Sequence, residues 1–292
     1  MGVQVPLRAP TILSGPSTIR SALRTALSRL LPAPFVANVL SRRSRDHQVR
    51  VLSESGITTF SETYIQKHGL LVRHGPFREL TYTPGVARNR IIVPKLLGTY
   101  ELELHDVLKQ VVGTAYDCIV DIGCAEGYYT TGLALCSQSK IVAFDTEPEE
   151  LSFAREMAEH NHVSDRIDFR GWCSSAELIQ IAANHKKLFI LSDCEGYETE
   201  LFTPPTIRAL TAADLLIELH GDAESLLVPR FAETHQISII PSRTREDIVL
   251  PELTDIPADQ RWMALTEYRE KQHWLWATTK LTSSGAARRQ FC

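Results

Sequence analysis

From residue 117 to residue 279 the chain alternates short apolar runs with segments of helical period, and this alternation restricts its fold more than any other feature. CIVDIG (118–123), KIVAFD (140–145), RIDFRG (166–171), LFILSD (188–193) and ADLLIELH (213–220) read as five strands. HQISII (235–240) and HWLWATT (273–279) supply a sixth and a seventh. Helical patterns run from Tyr128 to Cys136, from Pro148 to His160 and over 175–184. A strand with one wet face alternates polar and apolar residues, whereas these runs are nearly continuous, so both of their faces are covered. Buried strands joined by helical crossovers predict an α/β fold with a doubly wound sheet of seven strands, parallel over its βαβ units.

The first part of the chain is organised differently. Residues 17–31 place apolar side chains at 19, 23, 27, 30 and 31, a helical period that stops at Pro32, and a second short helix fits 34–42. GLLVRHGPFRELTY (69–82) reads as two strand-like runs around His74, Gly75 and Pro76, the pattern of a hairpin. TPGVARNR (83–90) is a linker, and a helix is expected over about 99–112. The expected division is an N-terminal extension of helices and hairpin over 1–92, a cofactor-binding domain over 93–280, and a tail over 281–292.

Net charge is −4, but residues 1–50 hold eight arginines against the single acid Asp46. No aromatic residues interleave with Arg42, Arg43 and Arg45, so this arm reads as a solvated helical segment, and the whole chain lacks the field of a nucleic-acid binder. The extension is a candidate surface for homo-oligomer formation. Six cysteines, at 118, 124, 136, 173, 194 and 292, form no C-x-x-C pair, which argues for a reducing compartment and against a structural zinc site. No signal-peptide core or membrane-length apolar run is present, and Pro6 breaks the myristoylation pattern. A cytoplasmic protein without membrane insertion is expected.

DIGCAEG (121–127) carries D-x-G-x-x-x-G at the first strand-to-helix turn. Gly123 suits the tight turn, and Gly127 would let backbone approach a ligand at the helix N-terminus. The dinucleotide pattern G-x-G-x-x-G and the P-loop G-K-[ST] are both missing. Asp121 in place of a first glycine suits a ligand without a pyrophosphate, such as a zwitterionic methionine moiety. Asp145 ends the second strand 18 residues after Gly127, near where an acid grips ribose hydroxyls. Glu126 is expected to face the cofactor pocket. Backbone amides around Trp172 and Cys173 are placed to frame an adenine, while the side chains of Trp172 and His235 read as structural.

VDIGCAEGYYTTGLA (120–134), VAFDTEPEEL (142–151), LSDCEGYETELF (191–202) and LLIELHG (215–221) resemble the FkbM-type methyltransferases, with weaker similarity across 69–279. The resemblance implies a Rossmann-like class I methyltransferase fold, mostly parallel with an antiparallel last strand. It also implies S-adenosyl-L-methionine as cofactor and O-methylation of a small-molecule hydroxyl. Two departures stand out: Ser192 in a strand normally apolar, and Cys194 where the family places an aliphatic residue. Residues 1–68 carry no such similarity.

Methyl transfer is an in-line displacement that gains most from positioning the acceptor, and a hydroxyl acceptor also gains from a base. The groups in place for this, at the carboxyl ends of the fourth and fifth strands, are Asp193, Glu195 and His220. Asp193 serves equally to anchor the acceptor or to contact the cofactor. Glu195 also fits a helix cap, and His220 a satisfied strand-end histidine. Glu218 lies inside the fifth strand, where an unpaired charge is costly, so it requires a partner. Tyr100 and Glu101 are expected to close the pocket from above. Spacing does not decide between a divalent ion held by Asp193, Glu195 and His220 and a metal-free site with His220 as base; the metal-free version is preferred, because magnesium would gain little from a histidine. Macromolecular acceptors, or a scaffold that binds cofactor without turnover, are the alternatives.

Overall fold

The computed structural model describes residues 55–280 apart from Asn89, Glu246, Tyr268, Glu270 and Lys271. The two helices expected before residue 43, and the tail, lie outside the described residues. Helices α1 (Ile57–His68), α2 (Pro84–Ala87), α3 (Val93–Leu97) and α4 (His105–Val112) precede the first strand. The alternating part then runs β1 (Cys118–Ile122), α5 (Tyr128–Cys136), β2 (Lys140–Phe144), α6 (Pro148–His160), β3 (Ile167–Arg170), α7 (Ser175–Ala183) and β4 (Leu188–Ser192). It closes with α8 (Glu198–Leu201), α9 (Pro204–Ala209), β5 (Ala213–Glu218), α10 (Ala223–Ala232), β6 (His235–Pro241), α11 (Pro251–Thr254), α12 (Arg261–Leu265) and β7 (His273–Thr279).

The strands form one sheet in the order β3-β2-β1-β4-β5-β7-β6, parallel from β1 to β5, with β7 antiparallel to both β5 and β6. Period-two alternation sorts the strand side chains onto two faces. Ile119, Ile141, Phe189, Leu191 and Leu216 enter one apolar cluster with α1, α4, α5 and α6. Val120, Phe144, Ile190, Leu215 and Ile217 enter the other with α7 to α10. Covering both faces is what the continuous apolar runs required. The strand order reverses between β1 and β4, so their carboxyl ends flank the crevice where ligands bind in such sheets.

Two expectations before β1 are revised, and one longer helix there was not expected. The hairpin at 69–82 is reduced to one antiparallel bridge, Leu71 to Thr81. The amides of Tyr82 and Val72 donate across it to the Leu70 and Leu80 carbonyls at 2.9 and 2.8 Å, and the ladder ends at Glu79, which adopts φ 83° and donates back to the Val72 carbonyl at 2.9 Å. The helix expected over 99–112 begins only at His105, after a 3-10 turn at Leu102–Leu104. Gly98 in the left-handed region ends α3, and Glu101, with φ 46°, separates the two pieces. α1 has no counterpart in the sequence reading. It buries only Ile57, Ser61 and Tyr64, and its β-branched first turn is a weak helix signal.

Candidate active site

The glycine turn is built around the end of β2. The amides of Gly123 and Cys124 both donate to the Phe144 carbonyl, at 2.8 and 3.0 Å, and the Ala125 amide donates to Asp145 Oδ2 at 2.8 Å. Three successive N–H groups that would cradle a pyrophosphate in a dinucleotide fold are thereby spent on the protein itself. Gly123 has φ 87°, and a Cβ there would overlap the Asp193 carbonyl oxygen, so the turn after β1 is pressed against the turn after β4. With φ 89° Gly127 heads α5, and a Cβ there would sit 3.1 Å from Ala154, so the glycine also permits close packing of α6.

Asp121 is fully buried. Its Oδ2 accepts from Thr130 Oγ1 at 2.5 Å, and its Oδ1 has no hydrogen-bond partner. Burial above all, reinforced by the charges of Asp145 and Asp193, pushes the carboxyl up to about 7 despite the Thr130 bond. Burial likewise raises Asp145 to about 6; its oxygens accept from the amides of Ala125 and Glu147, both at 2.8 Å. An orphaned carboxylate oxygen suits a ligand ammonium, and Asp145 keeps lone pairs for ribose hydroxyls, so the crevice fits S-adenosylmethionine. Trp172 and Tyr197 lie in contact on the β3 and β4 loops, with ring centroids 4.3 Å apart and planes tilted by 49°.

Glu126 is not left for a ligand. It accepts from Tyr82 Oη at 3.1 Å, pairs with Arg90 at 3.3 Å and is hydrogen-bonded to Lys95 Nζ. Burial opposes its ionisation, but Lys95 and Arg90 outweigh burial and hold it at about 2. It ties the segment before β1 to the first turn of α5. Lys95 also lies over the rings of Tyr100, at 4.7 Å, and Tyr128, at 5.4 Å.

The turns after β4 and β5 bring Asp193, Glu195 and His220 together. His220 Nε2 lies 3.7 Å from Asp193 Oδ1, 4.0 Å from Glu195 Oε2 and 3.7 Å from Glu218 Oε2. Its Nδ1 is 3.0 Å from Oε1 of Glu198, which is itself fully buried and accepts from the Cys194 amide. Burial disfavours the imidazolium, but the Glu198 bond and the surrounding carboxylates prevail and raise His220 to about 9. The ligand-free histidine therefore holds two protons near neutral pH, contrary to the expectation of a base poised there. Glu195 adopts φ 53° and Gly196 φ 95°, so this turn is held in a conformation costly for a residue with a side chain.

Glu218 has the partner its burial demands: Arg269 Nη1 donates to Oε1 at 3.0 Å. Burial and the charges of Asp193 and Glu101 push Glu218 far above the usual carboxylate range. Arg269 also pairs with Glu267 at 3.1 Å and with Glu101 at 2.8 Å, the latter without hydrogen-bond alignment. Glu101 in turn accepts from Tyr129 Oη, and the Arg269 guanidinium lies 5.6 Å from the Tyr100 ring. Tyr100 and Glu101 thus join the cluster through Arg269. Glu198 and Arg269 were missed. The signal for Glu198 was its place five residues after Asp193 in LSDCEGYETELF; Arg269 sits in an irregular loop with no local pattern. Ser192 and Cys194, the two departures, meet each other at 3.5 Å. His235 is a satisfied core histidine, bonded to Thr234 and to the carbonyls of Leu210 and Ala213.

Residues 116–172 match a family model described as a methyltransferase domain. No curated protein matches the chain. Similar solved structures include the precorrin-8W decarboxylase of Methanobacterium thermoautotrophicum, at 13% identity and a TM-score of 0.43, covering 60% of this chain and 89% of that one. Precorrin-6y C5,15-methyltransferase of Geobacter metallireducens follows at 11% identity and 0.40, with the same coverages of 60% and 89%. A METTL16 methyltransferase domain overlaps at 12% identity and 0.42, covering 63% of this chain and 70% of that one. At such identities and TM-scores none of these carries an argument about the acceptor. The domain match, the sheet order and the acid-lined glycine turn together define a class I S-adenosylmethionine-dependent methyltransferase. S-adenosylmethionine is its cofactor. Among the described residues no helix is long and apolar enough to cross a membrane, and Cys118, Cys124, Cys136, Cys173 and Cys194 are free thiols.

Proposed function

We propose that this enzyme is an FkbM-type O-methyltransferase that methylates a hydroxyl of a small molecule in the cytoplasm. The observation that carries the proposal is the contact between Gly123 and the Asp193 carbonyl. It brings Asp193, and with it His220, beside the glycine turn, which supports an acceptor site there. Asp121 would hold the ammonium of the cofactor, Asp145 its ribose, and the Trp172–Tyr197 side of the crevice its adenine. The cofactor supplies an electrophilic methyl group; the chain supplies placement and proton transfer.

Asp193 orients the acceptor hydroxyl by accepting its hydrogen bond. His220 accepts the proton once it has lost its own, and cationic charge in the pocket favours that loss by repulsion. Base function therefore belongs to the loaded site. The carboxylates of Asp193 and Glu195 at the rim would repel phosphate groups, which supports a small-molecule acceptor over nucleic acid. Self-association through the N-terminal extension belongs to the same reading, although residues 1–54 lie outside the described ones.

The test is to incubate the full chain with methyl-labelled S-adenosylmethionine and a fractionated small-molecule extract, and to locate the label by mass spectrometry. The proposal expects a labelled methyl ether of low mass. Label found only in protein or RNA, with none in small molecules, would overturn it.

A further inference from the structure

The acid cluster around His220 has a geometry that a proton network alone does not account for. One ligand atom each from Asp193, Glu198 and His220 lies within 4.8 Å of the other two. Glu198 Oε1 holds Nδ1 of the ring, so the nitrogen directed at Asp193, Glu195 and Glu218 is Nε2. The three oxygens stand at 3.7, 4.0 and 3.7 Å from it, too far for hydrogen bonds. Two ligand atoms each about 2.1 Å from one metal ion, subtending about 90–180°, are separated by about 3.0–4.2 Å. All three spacings fall in that interval.

Two further observations point the same way. Asp193 Oδ1 is a buried carboxylate oxygen without a hydrogen-bond partner. Glu198, with a side chain 0% exposed, likewise has Oε2 without one. Carboxylate oxygens buried beside one another, with His220 and Arg269 as the nearby cationic side chains, are costly unless further positive charge enters the cluster. Glu198 on Nδ1 is also the arrangement by which a carboxylate fixes the tautomer of a metal-binding histidine, so that the opposite nitrogen offers its lone pair.

We propose that His220 Nε2 and Asp193 Oδ1, with a carboxylate from Glu195 or Glu218, bind one divalent transition-metal ion, and that Glu198 orients the histidine. Mixed nitrogen and carboxylate donors suit Mn²⁺, Fe²⁺, Co²⁺ or Zn²⁺ better than Mg²⁺. Binding displaces the proton from Nε2, and from Glu218 where that carboxyl is the ligand, to solvent; the ion would then lower the pKa of a coordinated acceptor hydroxyl so that its proton passes to solvent water, in place of transfer to a free His220. That use of the ion rests on the methyltransferase reading; binding of the ion does not.

The experiment therefore reads metal directly. Full-length protein is freed of metal with EDTA, exchanged into chelator-free buffer, and titrated with Co²⁺ while visible absorption is recorded, and with Mn²⁺ by calorimetry. The proposal expects one ion per chain and Co²⁺ d–d bands. His220→Gln and Asp193→Asn should each weaken binding at least tenfold, and Glu198→Gln by about 10–100-fold, with circular dichroism checking the fold. Pulsed electron paramagnetic resonance on the Mn²⁺-loaded wild type needs no variant and should show coupling to a histidine nitrogen. Absence of stoichiometric binding at millimolar metal, absence of nitrogen coupling, or affinity unchanged in folded His220→Gln would each overturn the site. A chain that binds Co²⁺ but not S-adenosylmethionine would keep the metal site and reject the enzyme reading; the converse result would do the opposite.

Discussion

Nδ1 of His220 lies 3.0 Å from Oε1 of Glu198, and this bond settles which ring nitrogen is presented to Asp193. In the metal-free, cofactor-free protein the imidazolium is stabilised by that carboxylate and by Asp193 and Glu195, against the penalty of burial. A nuclear magnetic resonance titration of the ring should give a value near 9. Glu198→Gln removes a charge and a charge-assisted bond, so the value must fall towards that of free histidine. A wild-type value at or below 6.5 would contradict this electrostatic picture.

Glu126 predicts how the fold responds to acid. Its carboxyl is held at about 2, against 4.5 in an exposed glutamate. A depressed folded pKa stabilises the native state above the unfolded value and loses that contribution as pH falls through the folded one. Stability should therefore drop between about pH 5 and pH 2, by an amount on the order of 3 kcal/mol from this group. Denaturant unfolding across that range should show a shallower acid loss in Glu126→Gln, along with lower stability at neutral pH.

Gly127 offers a test of packing. Its φ of 89° is strained for a residue with a Cβ, and the added atom would meet Ala154 at 3.1 Å. Gly127→Ala should destabilise the domain by about 1–3 kcal/mol, measured as a lower denaturant midpoint with unchanged slope. An unchanged midpoint would mean that α5 and α6 can part at no cost.

The contrast between the alternating part and the extension explains what the sequence could disclose. β1 to β5 and their helices were legible because period and burial there reinforce each other: each apolar run is covered on both faces, and α5 spans the expected Tyr128 to Cys136. The 69–82 hairpin was legible as two facing runs, but its shortness was not, because the left-handed turn that ends the ladder falls on Glu79, a residue type that rarely adopts it. Within the site, Asp193 and His220 were legible from their strand ends. The role of Glu126 was not, because Lys95 and Arg90 reach it from a segment some 30 residues away. Arg269 was hidden for the same reason: its value lies in meeting Glu218 and Glu101, from strand β5 and the loop before α4.

Asp193→Ala probes turnover rather than cofactor affinity. Loss of a positioned carboxylate at the acceptor should reduce kcat at least about 100-fold, with S-adenosylmethionine binding weakened far less. The check is single-turnover methyl transfer, once an acceptor is in hand, alongside calorimetry on the same variant. Near-normal turnover would place the acceptor elsewhere on the rim.

The central claim is that the crevice between β1 and β4 takes S-adenosylmethionine, with Asp145 on the ribose. Isothermal titration calorimetry of the full chain with S-adenosylmethionine, and in parallel with NAD, tests it most directly. Asp145 braces the glycine turn through Ala125 as well as facing the crevice, so Asp145→Ala should weaken S-adenosylmethionine by at least about 1–3 kcal/mol, the loss of two charge-assisted bonds. The account predicts one site for S-adenosylmethionine, weaker or absent NAD binding, and that loss in the folded variant. Tighter binding of NAD, or unchanged S-adenosylmethionine affinity in folded Asp145→Ala, would contradict it.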